Sequence, residues 1–344
     1  MRRTEYAGGF VGMGAIDFVI TWVDGDDPVW QREKACYAPA KDADARPERY
    51  RDWGLLPYWF RGVEKFAPWA GKIYFVTWGH LPGWLNTEHP KLKVVNHRDY
   101  IPEEYLPTFN SRVIEMHFHR IRDLSENFVY FNDDMFLTGP ITPEDYFVGG
   151  RPCDLLAFQP VVANPANPSM SHEFLNISLI LSKYFDKRQN VRRHPGNYFH
   201  IGYPPLYFFY NLLELAFPLY TGFYTPHGPF PFCKSTFETI WQKEGDYLSE
   251  FSTHRFRSNE DVGPYLVREW QKLSGDFNPK NVLRDLRYYN VSDDNQKLCR
   301  TIEKQKTKCV CINDANHAID FVAAKAEIRQ SFEKILPEKS AFER

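Results

Sequence analysis

Acidic and amide side chains follow two apolar segments of the chain at the points where those segments end. The run IDFVIT leads into TWVDGDDP, and the run FVYF leads into Asn132, Asp133 and Asp134. Carboxylate and amide oxygens are the ligands that Mg²⁺ and Mn²⁺ prefer, and such an ion can bridge a diphosphate. The alternative is an ordinary Asx turn or helix cap, which Asn and Asp both favour. Acids after two separate apolar runs favour a metal-assisted phosphate site.

Other side chains in the sequence could transfer protons or stabilise charge. His227 lies in the segment TPHGP, where the prolines would hold a general base in place, unless it is a loop histidine without chemistry. Arg257 precedes two acids and could stabilise a phosphoryl group or pair with them. Glu115 and His119 are four residues apart and would share one helix face, as a catalytic or a merely solvated pair. Asp314 is explained by helix capping alone.

Four short apolar runs predict the strands that must position these residues, at 16–21, 72–77, 92–95 and 128–131. Between them, apolar residues recur at helical spacing, for example after Asn110 and Ser111, which are good N-cap residues. Strands alternating with helices predict an α/β fold with a Rossmann-like, mostly parallel sheet flanked by helices. Ligands of such sheets bind at the carboxyl ends of the strands. The two acidic clusters and residues 77–80 should therefore face one crevice.

The character of the sequence changes after residue 150, where proline and aromatic residues become dense. We predict helices at about 173–185 and 206–217, and we interpret 151–220 as a helical, aromatic-rich insertion on the acceptor side. Residues 1–150 and 221–344 would together form one catalytic α/β unit. In it, the segment KCVCIND is predicted to be a strand that could rejoin the first sheet, followed by a helix over 318–336.

Composition excludes several classes of function. The 344 residues carry a net charge of −2 with dispersed basic residues, so no nucleic-acid partner is expected. No stretch reaches the roughly 18–20 apolar residues that span a bilayer. Residues 1–15 lack the apolar core of a signal peptide, so we expect a cytoplasmic protein. The six cysteines form no CxxC pair and are interpreted as buried thiols rather than metal ligands.

One apolar segment raises the question of a membrane. Residues 206–217 are too few to span a bilayer but could lie in its interface, although a core helix is the favoured interpretation. Lys187, Arg188, Arg192 and Arg193 form a basic run nearby, which could guide a phosphate-bearing polymer or an anionic membrane, or could simply be solvated. Peripheral association with the inner face of the membrane therefore stays an alternative.

In this order, the polar clusters resemble the Stealth family. Its members include bacterial capsule and cell-wall polysaccharide phosphotransferases and the animal enzyme that adds N-acetylglucosamine-1-phosphate to lysosomal glycoproteins. The matching blocks are IDFVITWVDGDDPVW, the stretch from RDWGLLPYWFRGVEKFAPW to FVYFNDDMFL, TPHGPFPF with RFRSNED, and CINDAN. The resemblance covers most of the chain and is weakest between about 150 and 220.

The resemblance implies roles by position. It implies catalytic roles for His227, Arg257, Asp133 and Asp134, and it adds Asp314 to Asp133 and Asp134 as metal ligands. The donor-binding residues that we assign with it are Trp22, Asp24, Gly25, Asn110, Ser111, Glu115, His119 and Asn132. Gly25 is also expected to allow a turn that a Cβ would resist.

The implied reaction is the transfer of hexose- or N-acetylhexosamine-1-phosphate from a UDP-sugar to a hydroxyl of a glycan or glycan-phosphate polymer. A phosphodiester forms, UMP leaves, and Mg²⁺ or Mn²⁺ assists, in capsule or cell-surface polysaccharide synthesis. A metal-dependent glycosyltransferase that releases UDP would use the same acidic site. A non-catalytic carbohydrate-binding protein would use the abundant aromatics, so both alternatives stay open.

Overall fold

The computed structural model describes residues 14–37, 50–165, 167–314 and 319–344. Its strands, in chain order, are β1 Ile16–Thr21, β2 Ile73–Thr77, β3 Leu92–Asn96, β4 Asn127–Phe131, β5 Met135–Leu137, β6 Phe147–Val148, β7 Arg151–Asp154, β8 Phe230–Cys233, β9 Asn278–Pro279, β10 Leu286–Asn290 and β11 Cys309–Asn313. Its helices are α1 Pro28–Ala35, α2 Leu56–Phe66, α3 Ser111–Met116, α4 Pro143–Tyr146, α5 Pro168–Tyr184, α6 Lys187–Arg193, α7 Pro195–Tyr198, α8 Pro205–Glu214, α9 Lys234–Ser252, α10 Pro264–Ser274, α11 Gln296–Glu303 and α12 Phe321–Ile335.

The main sheet has five strands in the order β3-β2-β1-β4-β8. The first four are parallel to one another, and β8 pairs antiparallel with β4 at the edge. This confirms the predicted α/β fold with a mostly parallel sheet, and the four predicted strands are present within a residue or two of their expected bounds.

Strand β1 shows why these segments form a central sheet. Phe18, Val19 and Ile20 are fully buried, because helices or loops cover both faces of a parallel sheet and require a continuous apolar run. Asp17 interrupts that run and is also buried. Its carboxylate accepts hydrogen bonds from the backbone amides of Lys72 (2.7 Å) and Ser125 (3.0 Å), so its burial leaves no polar group unsatisfied.

The strand over 309–313 does not rejoin the main sheet, so that expectation is wrong. β11 lies in a second sheet of order β10-β11-β5, parallel to β10 and antiparallel to β5. β5 begins directly after the turn that follows β4. The edge of the main sheet beside β4 is already occupied by β8, so β11 pairs with the next free strand. Residues 132–134 therefore form the turn that joins the two sheets.

The segment 151–220 begins as a strand rather than as a helix. β7 pairs with β6 and with β9, and helices α5 to α8 follow it. The buried carboxylate of Asp154 at the end of β7 binds the guanidinium of Arg268 on α10, with N–O distances of 2.5 and 2.8 Å. This ion pair ties the segment to α10. Within the described residues no helix is long and apolar enough to cross a bilayer.

Candidate active site

The site lies where the main sheet reverses its winding direction. The chain proceeds from β1 outward to β2 and β3, then returns to the other side of β1 with β4. Open α/β sheets bind ligands at the carboxyl ends of the strands at such a switch point. Because β1, β2 and β4 are parallel, the polar clusters that follow them meet at one edge, as the sequence predicts.

The loop after β1 is fixed against the loop after β2. The backbone amide of Asp24 donates to Nε2 of His80 at 2.8 Å. Trp22 is buried and stacks on Phe75, with its ring edge against His80. Burial lowers the pKa of His80, which keeps the imidazole neutral and able to accept this hydrogen bond.

Gly25 is required by space rather than by a special turn. Its φ is not in the left-handed region, so the expected conformational reason is wrong. A Cβ at this position would instead collide with the backbone carbonyl of Tyr50. The absence of a side chain lets the segment that begins at residue 50 close over the loop after β1.

The hydroxyl of Tyr130 connects three elements around the crevice. It lies 3.1 Å from Oγ1 of Thr21, donates to Oε1 of Glu115 at 2.9 Å and makes a short contact with Oδ1 of Asn132. Thr21 ends β1, Glu115 belongs to α3 and Asn132 follows β4. One buried phenol therefore fixes the two strand ends and the helix relative to one another.

The two acids after β4 differ from ordinary aspartates, Asp133 in its pKa and Asp134 in its hydrogen bonding. Desolvation and then the carboxylates of Asp134 and Asp52 raise the pKa of Asp133 to about 7, although the residue is exposed and solvent weakens the effect of desolvation. The neighbouring Asp134 is one-fifth exposed, and its Oδ1 is buried without a hydrogen-bond partner among the described residues. Repulsion between carboxylates and an unsatisfied carboxylate oxygen are both relieved by a bound cation.

His227 lies beside Asp134, on the far side of the turn. Its Nε2 is 3.1 Å from Oδ2 of Asp134, and its Nδ1 is 2.7 Å from the hydroxyl of Tyr265 on α10. Burial raises the pKa of Tyr265 well above its ordinary value, so this phenol stays protonated and orients the imidazole. Gly228, next in the chain, leaves room for the side chain of Leu286.

Cys311 completes a group of three possible metal ligands. Its sulfur lies 3.1 Å from Oδ2 of Asp134, and the ligand atoms of Asp134, His227 and Cys311 all lie within 4.8 Å of one another. Within the described residues this is the group of three that could hold a metal ion, and it differs from the predicted set. Cys311 is buried, as expected, but its position beside two other ligands was not anticipated.

Arg257 is brought to the same crevice by the first turn of α3. Asn110 caps that helix, and its amide donates to Asp261 at 2.8 Å and to the carbonyls of His254 and Phe256. These bonds hold the segment 254–261 so that Arg257 donates to the hydroxyl of Ser111 at 2.6 Å. Asn110 is fully buried and its side chain is hydrogen-bonded within the protein, so in this structure it holds the segment that carries Arg257.

Asp314 stands beside this group and not within it. Its Oδ2 is 3.2 Å from a guanidinium nitrogen of Arg51 and accepts from Nε1 of Trp53 at 3.2 Å. The backbone amide of Ile312 donates to the carbonyl of Asp134 at 2.8 Å, so β11 delivers Asp314 close to the acidic turn. Arg51 offsets the charge of Asp314 and does not favour its use as a metal ligand.

Sequence comparisons identify the family of this chain. Residues 14–42 match Stealth protein CR1, conserved region 1, and residues 49–152 match Stealth protein CR2, conserved region 2. The chain is 42% identical over 336 residues to the capsular polysaccharide phosphotransferase WcwK of Streptococcus pneumoniae, covering 96% of this chain and 99% of that protein. It belongs to the Stealth family.

Further Stealth relatives show the same extent of similarity. The exopolysaccharide phosphotransferase cps2G of Lactiplantibacillus plantarum is 38% identical, covering 96% of each chain. The receptor polysaccharide phosphotransferase WefC of Streptococcus oralis is 36% identical, covering 96% of this chain and all of that protein. Among solved structures, the apo WbbM bifunctional glycosyltransferase aligns with 95% of this chain and 52% of its own, at 11% identity and a TM-score of 0.34.

One predicted pair of this Stealth protein is not formed. α3 ends at Met116, so Glu115 and His119 do not share a helix face, and that prediction is wrong. His119 lies in a following 3-10 turn, with its ring stacked on Phe237 and close to Trp241. Burial lowers its pKa to about 3. The aromatic contacts give His119 a packing role.

The crevice also contains residues that sequence reasoning did not single out. Tyr130, Tyr265 and Cys311 lie in apolar runs or helices, where a buried side chain is normally structural. Asp52 stands in the block RDWGLL, and its charge reaches Asp133. A tyrosine within an apolar run could have indicated a nearby polar site, because a buried phenol needs a hydrogen-bond partner.

Proposed function

We propose that the chain transfers a hexose- or N-acetylhexosamine-1-phosphate from a UDP-sugar to a hydroxyl of a glycan acceptor, with release of UMP. The observation that carries the proposal is the pairing of His227 with Asp134 at the carboxyl edge of the main sheet. A proton acceptor beside a cation-binding carboxylate suits attack by a hydroxyl on a phosphorus atom. The names of the Stealth relatives support phosphotransfer in polysaccharide synthesis.

In the proposed reaction the acceptor hydroxyl takes the place of Asp134 Oδ2 beside Nε2 of His227. The oxygen of Tyr265 accepts from Nδ1–H in this tautomer, which leaves Nε2 free to take the acceptor proton. The new O–P bond forms at the β-phosphorus while the bond between the two phosphates breaks, and UMP leaves with the electron pair. Arg257, held by Ser111, is placed to stabilise charge on the phosphoryl oxygens.

Mg²⁺ or Mn²⁺ fits the acidic turn. Asp133 and Asp134 offer hard oxygen atoms, and Oδ1 of Asp134 has no partner in the described part of the chain. We propose these two residues as the ligands, and Asp52 adds negative charge near them. Asp314 is paired with Arg51 and is left out of the ligand set. The ion would neutralise the diphosphate of the donor and of the leaving nucleotide.

We place the reaction in the cytoplasm at the inner face of the membrane. A nucleotide-sugar donor and the apolar character of residues 206–217 support this proposed location. The acceptor would be a glycan or a glycan-phosphate polymer that grows there.

The test is a panel of UDP-sugars incubated with the protein, a divalent ion and a glycan acceptor, followed by identification of the released nucleotide. UMP supports the proposal, and UDP would show a glycosyltransferase instead. Tight sugar binding without turnover of any donor would favour a carbohydrate-binding protein. Thorough chelation should abolish turnover, and turnover that survives it would remove the metal from the proposal.

Two histidine variants separate catalysis from folding. His227→Ala should lower turnover by about 10²–10⁴, the usual cost of removing a general base. His89 lies in the loop before β3, at the opposite edge of the sheet, and His89→Ala should keep activity. Near-normal turnover of His227→Ala would assign the proton transfer to another group.

A further inference from the structure

Helix α8 and the residues beside it present apolar side chains to the outside of the molecule. Half of the large hydrophobic side chains that are exposed in the described chain lie in residues 201–219, which we call the apolar surface. They are Ile201, Leu206, Phe208, Phe209, Tyr210, Leu212, Leu213, Leu215, Phe217 and Leu219. Isolated exposed hydrophobic residues are ordinary, but such a concentration marks an interaction surface.

The polar residues of α8 point inward, so the usual amphipathic arrangement is reversed. Asn211 is fully buried; its side chain accepts from the amide of Phe158 at 2.7 Å and donates to the carbonyls of Leu156 and Tyr198 at 3.0 and 2.6 Å. Glu214 is also buried and accepts from the hydroxyl of Thr221 at 2.7 Å. The favoured expectation of a core helix at 206–217 is therefore wrong.

These polar contacts fix the rotation of α8 about its own axis. Rotating α8 so that its apolar residues face inward would break the hydrogen bonds of Asn211 and Glu214. Each polar group left unsatisfied in this way costs about 1–3 kcal/mol. The outward orientation of Phe209 and Leu213 is thus a property of the fold. An apolar environment outside the molecule would remove their exposure to water.

Exposed arginines stand next to the apolar surface. Nζ of the buried Lys187 on α6 donates to the carbonyls of Glu214 (2.7 Å) and Leu219 (3.0 Å), which attaches α6 to the end of α8. The same short helix exposes Arg188, Arg192 and Arg193, whose guanidinium groups reach no carboxylate in the described residues. Asp186, the exposed acid just before α6, accepts a hydrogen bond from the backbone amide of Gln189 as the N-cap of that helix.

We propose that the apolar surface lies in the interface of an anionic lipid bilayer, with the arginines of α6 at the headgroup phosphates. Apolar side chains flanked by cations are the combination that binds such interfaces. A second copy of the chain fits less well, because a symmetric contact would bring two sets of the same arginines together without an acid to offset them. Ten residues of α8 extend about 15 Å, half of the roughly 30 Å hydrocarbon thickness, so the helix lies in the interface and does not cross it.

The apolar surface is connected to the candidate active site by a short segment of the chain. Residues 220–226 join it to His227, and Arg268 of α10 fixes that segment through the carbonyl of Pro226 at 2.6 Å. A bilayer on the apolar surface therefore places the crevice near the membrane. This consequence for the acceptor rests on the proposed function, whereas lipid binding itself does not.

The test is sedimentation of the full chain with vesicles of phosphatidylcholine alone and of phosphatidylcholine with phosphatidylglycerol. The protein should bind the anionic vesicles and bind them less as salt rises. Phe209→Glu and Leu213→Glu should each weaken binding by about tenfold or more, because they remove an inserted apolar side chain. Val322→Glu, at an even more exposed apolar residue on α12, is the control and should leave binding unchanged.

The arginines are tested separately. Arg192→Ala and Arg193→Ala should each weaken binding to the anionic vesicles about fivefold, and binding to neutral vesicles should change little. The proposal is overturned if the wild-type chain binds neither vesicle, or if Phe209→Glu binds as well as Val322→Glu. A dimer that Leu213→Glu dissociates, without vesicle binding, would make a second copy the occupant. Release of UMP from the UDP-sugar in the presence of a soluble acceptor is measured in parallel, so that failure of lipid binding is distinguished from failure of the proposed function.

Discussion

Replacement of Glu115 by glutamine should change how stability depends on pH. The Glu115 carboxylate is buried and accepts from the hydroxyl of Tyr130 at 2.9 Å. Burial raises the pKa of this carboxyl from 4.5 to about 7, although the charge of Arg257 and the bond from Tyr130 act in the opposite direction. The folded chain therefore keeps a proton that the unfolded chain loses.

The magnitude follows from proton linkage. Between about pH 4.5 and pH 7 folding takes up a proton at Glu115, so the free energy of unfolding falls as the pH rises through this window. At about 1.4 kcal/mol for each pH unit, the loss above pH 7 amounts to about 3 kcal/mol. Glu115→Gln cannot ionise, so it should escape this loss.

The assay is urea unfolding of both proteins at about pH 5 and about pH 8. The free energy of unfolding of Glu115→Gln minus that of the wild type should rise by about 2.5 kcal/mol between the two conditions, because part of the loss is already present at about pH 5. Titrating groups that do not interact with Glu115 are common to both proteins and cancel in this difference. Glu338→Gln, at an exposed carboxylate, should give a difference that does not depend on pH. The reasoning is refuted by a Glu115→Gln difference that is equal at the two pH values.

Further variants test the other contacts of the crevice. Tyr130→Phe removes the hydroxyl that fixes both strand ends, and turnover should fall by about 10–100-fold while circular dichroism stays unchanged. Zn²⁺ prefers nitrogen and sulfur ligands, so it should inhibit the proposed Mg²⁺-assisted reaction by binding beside Cys311, and Cys311→Ser should need about tenfold more Zn²⁺ for half-inhibition. Gly25→Ala should destabilise the protein by about 1–3 kcal/mol in denaturant titrations, because the new methyl group meets a backbone carbonyl, whereas Gly83→Ala, with open space around it, should not.

The main sheet was predictable because its strands are apolar on both faces. Runs such as IDFVIT have few alternatives, and turn residues delimit them. The clusters after β1, β2 and β4 also met as expected, since parallel strands bring their carboxyl ends to one edge. Local patterns therefore sufficed for the elements and for the edge of the sheet that carries the site.

Long-range partners account for what the sequence did not predict. The apolar pattern of β11 predicts a strand. It does not show that β8 already pairs with β4 and so occupies the edge of the main sheet that β11 could have joined. In the sequence Cys311 looks like any buried thiol, and only the pairing of β11 with β5 brings its sulfur close to Asp134. The sequence of α8 is apolar enough for a core helix. The hydrogen bonds of Asn211, which the sequence does not show, reveal which side of the helix faces inward.

The turn that joins the two sheets also sets the time at which the site can first exist. Cys311 lies 177 positions after Asp134, and the backbone of β11 closes onto that turn through Ile312. Synthesis at about 5–20 residues per second separates these positions by roughly 10–35 s. During that interval the nascent chain holds β1 to β4 but lacks the strand that completes the crevice. The crevice is therefore completed only after β11 has been made.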